Sequence, residues 1–110
     1  MAVTFNITAT AQVHIKLAIK WRAKKSTAVE ARRNIKDVIT DFRNKLIAFP
    51  ESGHQCQYLD IEHYKELIKD QYRFIYRVDT DAQNVKITIV TFCRTRMDYQ
   101  TILKHVPELY

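Results

Sequence analysis

Apolar residues in this chain recur first every three to four positions and then every second position, and the change falls at Pro50. Val13, Leu17 and Trp21 lie four apart, with Ala18 beside them. This spacing predicts a helix over 9–24 with those residues as one apolar stripe. A second helix is signalled at Thr27, where Glu30 follows three residues later as a capping box, each side chain able to satisfy an orphan amide. Ile35, Val38, Ile39, Phe42, Leu46 and Phe49 then form a core-facing stripe that Pro50 ends, because proline disfavours a helical residue before it. The short Lys24-Lys25-Ser26 link makes the two helices an antiparallel hairpin.

Strands flank this hairpin. Val3 to Ile7 is β-branched and aromatic and predicts a first strand. Beyond Pro50, Tyr58 to Ile61 and His63 to Lys69 read as extended. Tyr72, Phe74, Tyr76 and Val78 alternate with Arg73, Ile75 and Arg77, which puts the first set on the core face of a strand. A polar loop, Asp79 to Asn84, leads to Val85 through Cys93, whose β-branched density suits a central strand covered on both faces. Asp98 is the expected N-cap of a last helix carrying Ile102, Leu103 and Val106 before Pro107. The predicted architecture is a single α+β domain over 1–110: an N-terminal strand, a helical hairpin packed on a mainly antiparallel sheet, and a short C-terminal helix.

With 110 residues, one domain is expected and a core is attainable without disulfide or metal staples. A single glycine, Gly53, excludes both glycine-rich nucleotide-binding loops. Cys56 and Cys93 fit no C-x-x-C motif and read as ordinary packed thiols. His14, His54, His63 and His105 lack metal-ligand spacing, so neither metal nor cofactor is expected. No apolar run has the length of a signal peptide or a membrane span, and the default expectation is a cytoplasmic protein without membrane contact.

Charge sharpens the picture. The balance of 18 Lys+Arg against 12 Asp+Glu gives +6. Residues 14–45 hold ten cations and three acids, whereas 50–70 hold two and five. The hairpin is therefore the basic surface, which in itself describes any solvated helix face. More informative are Arg73 and Arg77, on one face of a strand by parity, and Arg94 and Arg96, which follow the next strand. If the strands pair, four guanidinium groups can gather at one end of the sheet and meet an anion. The competing arrangement ties them to Asp70, Asp79, Asp81 or Asp98.

The run from Tyr64-Lys65-Glu66-Leu67-Ile68 through Asp70-Gln71-Tyr72-Arg73-Phe74-Ile75-Tyr76-Arg77-Val78-Asp79, then Val85-Lys86-Ile87-Thr88-Ile89-Val90 and Arg96-Met97-Asp98-Tyr99, resembles the RelE/ParE superfamily of toxins from bacterial type II toxin–antitoxin modules. The Phe49-Pro50-Glu51-Ser52-Gly53 punctuation after a long second helix is similar as well. The resemblance implies a toxin neutralised by a cognate acidic antitoxin that folds on binding. ParE-like members poison DNA gyrase by binding; RelE-like members cleave mRNA in the ribosome. The Arg96-Met97-Asp98 ending favours the ParE-like subgroup, although Arg94 stands where many such chains have histidine.

For gyrase binding no catalytic set is required, and Arg73, Arg77, Arg94 and Arg96 are the candidate target-binding residues. For RNA cleavage the resemblance implies Lys65, Glu66, Arg73, Arg94 and Tyr99: cations for the charged phosphorane, a proton-transfer group, and an aromatic on which a base stacks. Leu67 stands where that branch has a second lysine. A third reading is a non-toxic nucleic-acid-binding or adaptor domain on the same fold.

Overall fold

Thr8 and Thr27 open the two long helices in the same manner: each hydroxyl accepts an amide three residues on, from Ala11 and from Glu30. In the computed structural model, which describes residues 2–56 and 63–109, these helices are α1 (Ala9–Ala23) and α2 (Ala28–Ala48). They follow strand β1 (Ala2–Ile7) and precede β2 (His54–Gln55), β3 (Tyr64–Lys69), β4 (Tyr72–Thr80) and β5 (Asn84–Arg94). A short helix α3 (Tyr99–Leu103) and a single turn at Pro107–Leu109 end the described chain. The expected strand at Tyr58 to Ile61 lies outside the described residues.

The sheet runs β1-β5-β4-β3-β2. β1 lies parallel to β5, and the remaining neighbours are antiparallel. β4 and β5 form the centre, and each is buried on both faces, as the β-branched run predicted for β5. On one face the hairpin packs through Ala11, Ala18, Ile35, Val38, Phe42 and Leu46 onto Tyr72, Phe74, Tyr76, Ile87, Ile89 and Phe92. Phe42 stacks on Phe74 at 4.0 Å between ring centroids and meets Tyr76 edge-on at 5.2 Å. The other face carries Tyr64, Ile75, Val90 and Cys93 beneath Tyr99 and Leu103 of α3, with Cys56 beside them.

The stripe predicted for α2 packs as expected from Ile35 to Leu46, but Phe49, at the helix's C-cap, is exposed. The stripe expected on α1 is a different matter. Val13 and Leu17 are 54% and 57% exposed, and small residues, Ala11 and Ala18, make the close contact with the sheet, flanked by Ile15 and Ile19. Two stripes compete on α1, and the smaller side chains win because they let the helix approach β5. The polar loop is also shorter than expected: pairing runs to Thr80 and resumes at Asn84, and the Asp81 carboxylate accepts the amides of Gln83 and Asn84. Asp98 caps α3 as predicted, accepting the Thr101 amide and hydroxyl. The helix stops at Leu103, so Val106 is buried beyond its end.

Gly53 has φ +90°, and a Cβ there would lie 2.2 Å from the Tyr76 hydroxyl and 2.9 Å from the Glu66 carbonyl oxygen. That hydroxyl donates to the Ser52 carbonyl, which ties the segment after α2 to the sheet. Both the left-handed backbone and the missing space call for glycine.

Two outcomes test this packing. Phe42→Ala should cost about 3–5 kcal/mol in urea unfolding, whereas Leu17→Ser on the exposed stripe should change stability by less than about 0.5 kcal/mol. Gly53→Ala should destabilise by roughly 1–3 kcal/mol through strain and displacement of Tyr76, with a corresponding fall in the thermal midpoint.

Candidate functional site

Alternation along β3 sends Tyr64 and Glu66 to the α3 side and Leu67 to the hairpin side. Across the neighbouring strand, Arg73 points to the α3 side as well. Its Nε lies 3.9 Å from Glu66 Oε2, with the two side chains only 14% and 8% exposed. The guanidinium carbon sits 3.9 Å above the Tyr99 ring, so α3 lies over the arginine. The other Glu66 oxygen meets His54 Nε2 at 2.9 Å, and that imidazole reaches solvent. Burial and hydrogen bonding to Glu66 push the Tyr99 phenol far above its ordinary pKa. Burial likewise raises the Cys93 thiol to about 11, against the opposing pull of Arg73, so it is protonated and unreactive at neutral pH. The cluster brings together a carboxylate, an imidazole, a guanidinium and a phenol, and its cation lies under Tyr99 within ion-pair range of Glu66, though no hydrogen bond joins Arg73 Nε to Glu66 Oε2.

The residues named for RNA cleavage therefore divide. Glu66, Arg73 and Tyr99 assemble, while Lys65, in β3 between β2 and β4, bonds to Glu51 at 3.1 Å and Arg94 emerges on the hairpin side. The expected gathering of four arginines is corrected in the same way. Arg73 is held under α3, and Arg77 bonds to Asp79 at 2.9 Å beside the Tyr64 ring. Only Arg94 and Arg96 adjoin. The reason is a register shift: Ile75 pairs with Thr91 but Tyr76 with Ile89, so β5 carries one extra residue, Val90. That residue turns Phe92 and Arg94 to the hairpin face and Cys93 to the other.

On the hairpin side, Arg94 sits 3.5 Å over the Trp21 ring, with Lys25 Nζ 4.7 Å from the same ring. Two clefts share Trp21 and Arg94 as walls. One, of about 500 Å³, is mainly apolar and lies between α1 and α3, lined by Leu17, Trp21, Phe92, Met97 and Ile102 with Lys20 and Lys24 at its rim. His14, also in this cleft, accepts the Phe92 amide through Nδ1 at 3.5 Å, and burial lowers its pKa, so it is neutral there. The other, of about 450 Å³, is lined by Trp21, Lys25, Gln71, Arg94, Thr95 and Arg96. Leu17, Trp21, Lys25 and Met97 were not among the candidate residues. For Leu17 and Trp21 the signal was the stripe on α1, whose partial exposure marks a surface rather than a core; Lys25 and Met97 carried none. Among the described residues no group of three or more His, Cys, Asp or Glu is placed to hold a metal, and no helix is long and apolar enough to cross a membrane.

A single five-stranded sheet with a helical hairpin on one face and a short helix on the other defines an α+β scaffold, and comparison with known proteins gives its family. The family model described as "ParE toxin of type II toxin-antitoxin system, parDE" matches residues 5–99; the chain belongs to that family. Its fold is similar to that of a solved chain from the chromosomal ParDE toxin–antitoxin system of P. aeruginosa, with TM-score 0.59 and 11% identity over 84% of this chain and 95% of that one. It is similar too to the YoeB/ParE toxin from Agrobacterium tumefaciens, with TM-score 0.54 and 15% identity over 86% and 98%. No curated protein sequence matches the chain significantly.

The Glu66–Arg73 pair can be tested directly. Glu66→Ala should cost about 3–5 kcal/mol, because it strands a covered guanidinium, whereas Asp79→Ala beside the exposed Arg77 should cost less than about 1 kcal/mol. Urea denaturation of both variants measures the difference.

Proposed function

We propose that this ParE-family chain is a toxin that acts in the cytoplasm by binding DNA gyrase and blocking replication, and that a cognate acidic antitoxin neutralises it. The observation that carries this reading is the state of Arg73. A cleaving enzyme needs that cation free to receive a phosphate, and here it lies paired with Glu66 and covered by Tyr99. Cations without a carboxylate partner among the described residues instead stand where an interface, not a reaction, would use them: the half-buried Arg94 at the end of β5, the exposed Arg96 just beyond it, and lysines along α1.

The antitoxin is assigned to the apolar cleft. Leu17 and Met97 are 57% and 41% exposed, and Lys20, Lys24 and Arg94 border them. An acidic segment that folds into an amphipathic helix satisfies both features: apolar side chains fill the groove while carboxylates meet the rim.

A second reading, ribosome-dependent mRNA cleavage, is favoured by one observation. Glu66, His54, Arg73 and Tyr99 form a proton-transfer cluster that becomes accessible if α3 moves away.

Purified protein added to gyrase, ATP and relaxed plasmid should suppress supercoiling and accumulate cleaved DNA, while mRNA in a translating extract stays intact. Arg94→Ala/Arg96→Ala should weaken the gyrase effect by at least about tenfold, the loss expected when two interface arginines are truncated. Cleaved mRNA with normal supercoiling would replace this reading by the second. Neither effect, from soluble folded protein, would leave a non-toxic adaptor on the same fold.

A further inference from the structure

The cleft formed by Trp21, Lys25, Gln71, Arg94, Thr95 and Arg96 gathers three cations, two of which, Arg94 and Arg96, also stand at the proposed gyrase interface. Its walls carry these three cations and the polar side chains of Gln71 and Thr95, with Trp21 the one large apolar side chain. Arg22 adds a further charge nearby: it bonds to the Tyr72 hydroxyl at 3.4 Å, and Tyr72 pairs with Arg94 across the sheet. None of Arg22, Lys25, Arg94 and Arg96 has a carboxylate within ion-pair distance among the described residues, in contrast to Lys65, Arg73 and Arg77. Like charges gathered without compensation repel one another, and an anion relieves that repulsion. A protein partner needs apolar area to bury, which the neighbouring groove offers in far larger measure than this cleft. Guanidinium forks on Arg94 and Arg96 suit the paired oxygens of a phosphodiester.

The aromatic ring narrows the choice among nucleic acids. Single strands are held by bases stacked on free aromatic faces. Trp21 already carries the Arg94 guanidinium at 3.5 Å and the Lys25 ammonium at 4.7 Å, so it serves to fix cations rather than to receive bases. We infer that this cleft binds the phosphate backbone of duplex DNA, through Arg94, Arg96 and Lys25 oriented by Trp21. Recognition is of the backbone and carries no sequence preference. This goes beyond the proposed gyrase inhibition and does not rest on it, since the protein alone meets the DNA.

The test uses the intact protein without gyrase. Trp21 is the only tryptophan of the chain, so its fluorescence reports on the cleft. Titration with a labelled duplex of about 20 base pairs at about 50 mM salt should raise the label's anisotropy and change the tryptophan emission together. Binding should weaken with salt. Arg94→Ala/Arg96→Ala should lower affinity by at least about tenfold and make the log–log salt slope shallower by about two. Lys86→Ala/Lys104→Ala removes the same charge from exposed positions elsewhere and should change affinity by less than about threefold. Because Arg94 also packs on Trp21, Arg96→Glu alone, at an exposed position, provides a fold-neutral variant and should abolish binding at about 150 mM salt. The inference is overturned by absence of binding at low salt, by unchanged tryptophan emission on saturation, by equal losses in the two double variants, or by tighter binding of a single strand of the same length. Gyrase inhibition without DNA binding would overturn this inference alone, and DNA binding without inhibition would overturn only the proposed function.

Discussion

One extra residue in β5 governs how the charged groups of this protein are distributed. Strand alternation is strict, so a single inserted position reverses the face of every side chain that follows it. With Val90 inserted opposite the Ile75–Tyr76 junction, Ile87 and Ile89 lie against the hairpin, and so do Phe92 and Arg94. Arg73, across from Cys93, is left on the other face. Two arginines close in the ladder are thereby sent to opposite layers, and each acquires a different chemistry from its surroundings.

Those surroundings differ in how they treat charge. Under α3, Arg73 has lost most of its water and is compensated by Glu66 and the Tyr99 face. A cation held in this way orders the second core and is a poor receptor for an incoming phosphate. On the hairpin side, Arg94 rests on Trp21 with its charge unneutralised, next to a groove whose apolar residues lack cover. The first arrangement contributes to the fold; the second is available to partners. Membership of the ParE toxin family implies a cognate antitoxin partner, and an apolar groove edged by cations is a surface on which a partner can dock.

Much of the fold could be read from residue order because local and tertiary preferences agree there. Thr27, Asp98 and the stripe from Ile35 to Leu46 each carry a signal that packing reinforces, and alternation from Tyr72 to Val78 names its face correctly. On α1 the two diverge. Hydrophobicity favours Val13 and Leu17, but close approach to β5 favours Ala11 and Ala18, and spacing alone does not weigh size. The candidate site was harder for a related reason. Parity placed Arg73 and Arg77 on one face, yet it contains no information about an inserted residue in the partner strand, nor about which arginine finds a carboxylate. Glu66, Arg73 and Tyr99 were recognisable as a set through family resemblance; Trp21 and Lys25 become neighbours of Arg94 only through the helix-to-sheet contact.

The parallel pairing of β1 with β5 has a consequence for how the molecule comes into being. The first strand pairs with residues 84–89, Ala2 with Asn84 and Ile7 with Ile89, and the hairpin that follows it packs mainly on β4 and β5. On a ribosome, the N-terminal half emerges with its apolar face unsatisfied and waits for the central strands. The Trp21–Arg94 junction needs β5 to have been made and paired, so it is absent from any nascent chain that has not reached Arg94.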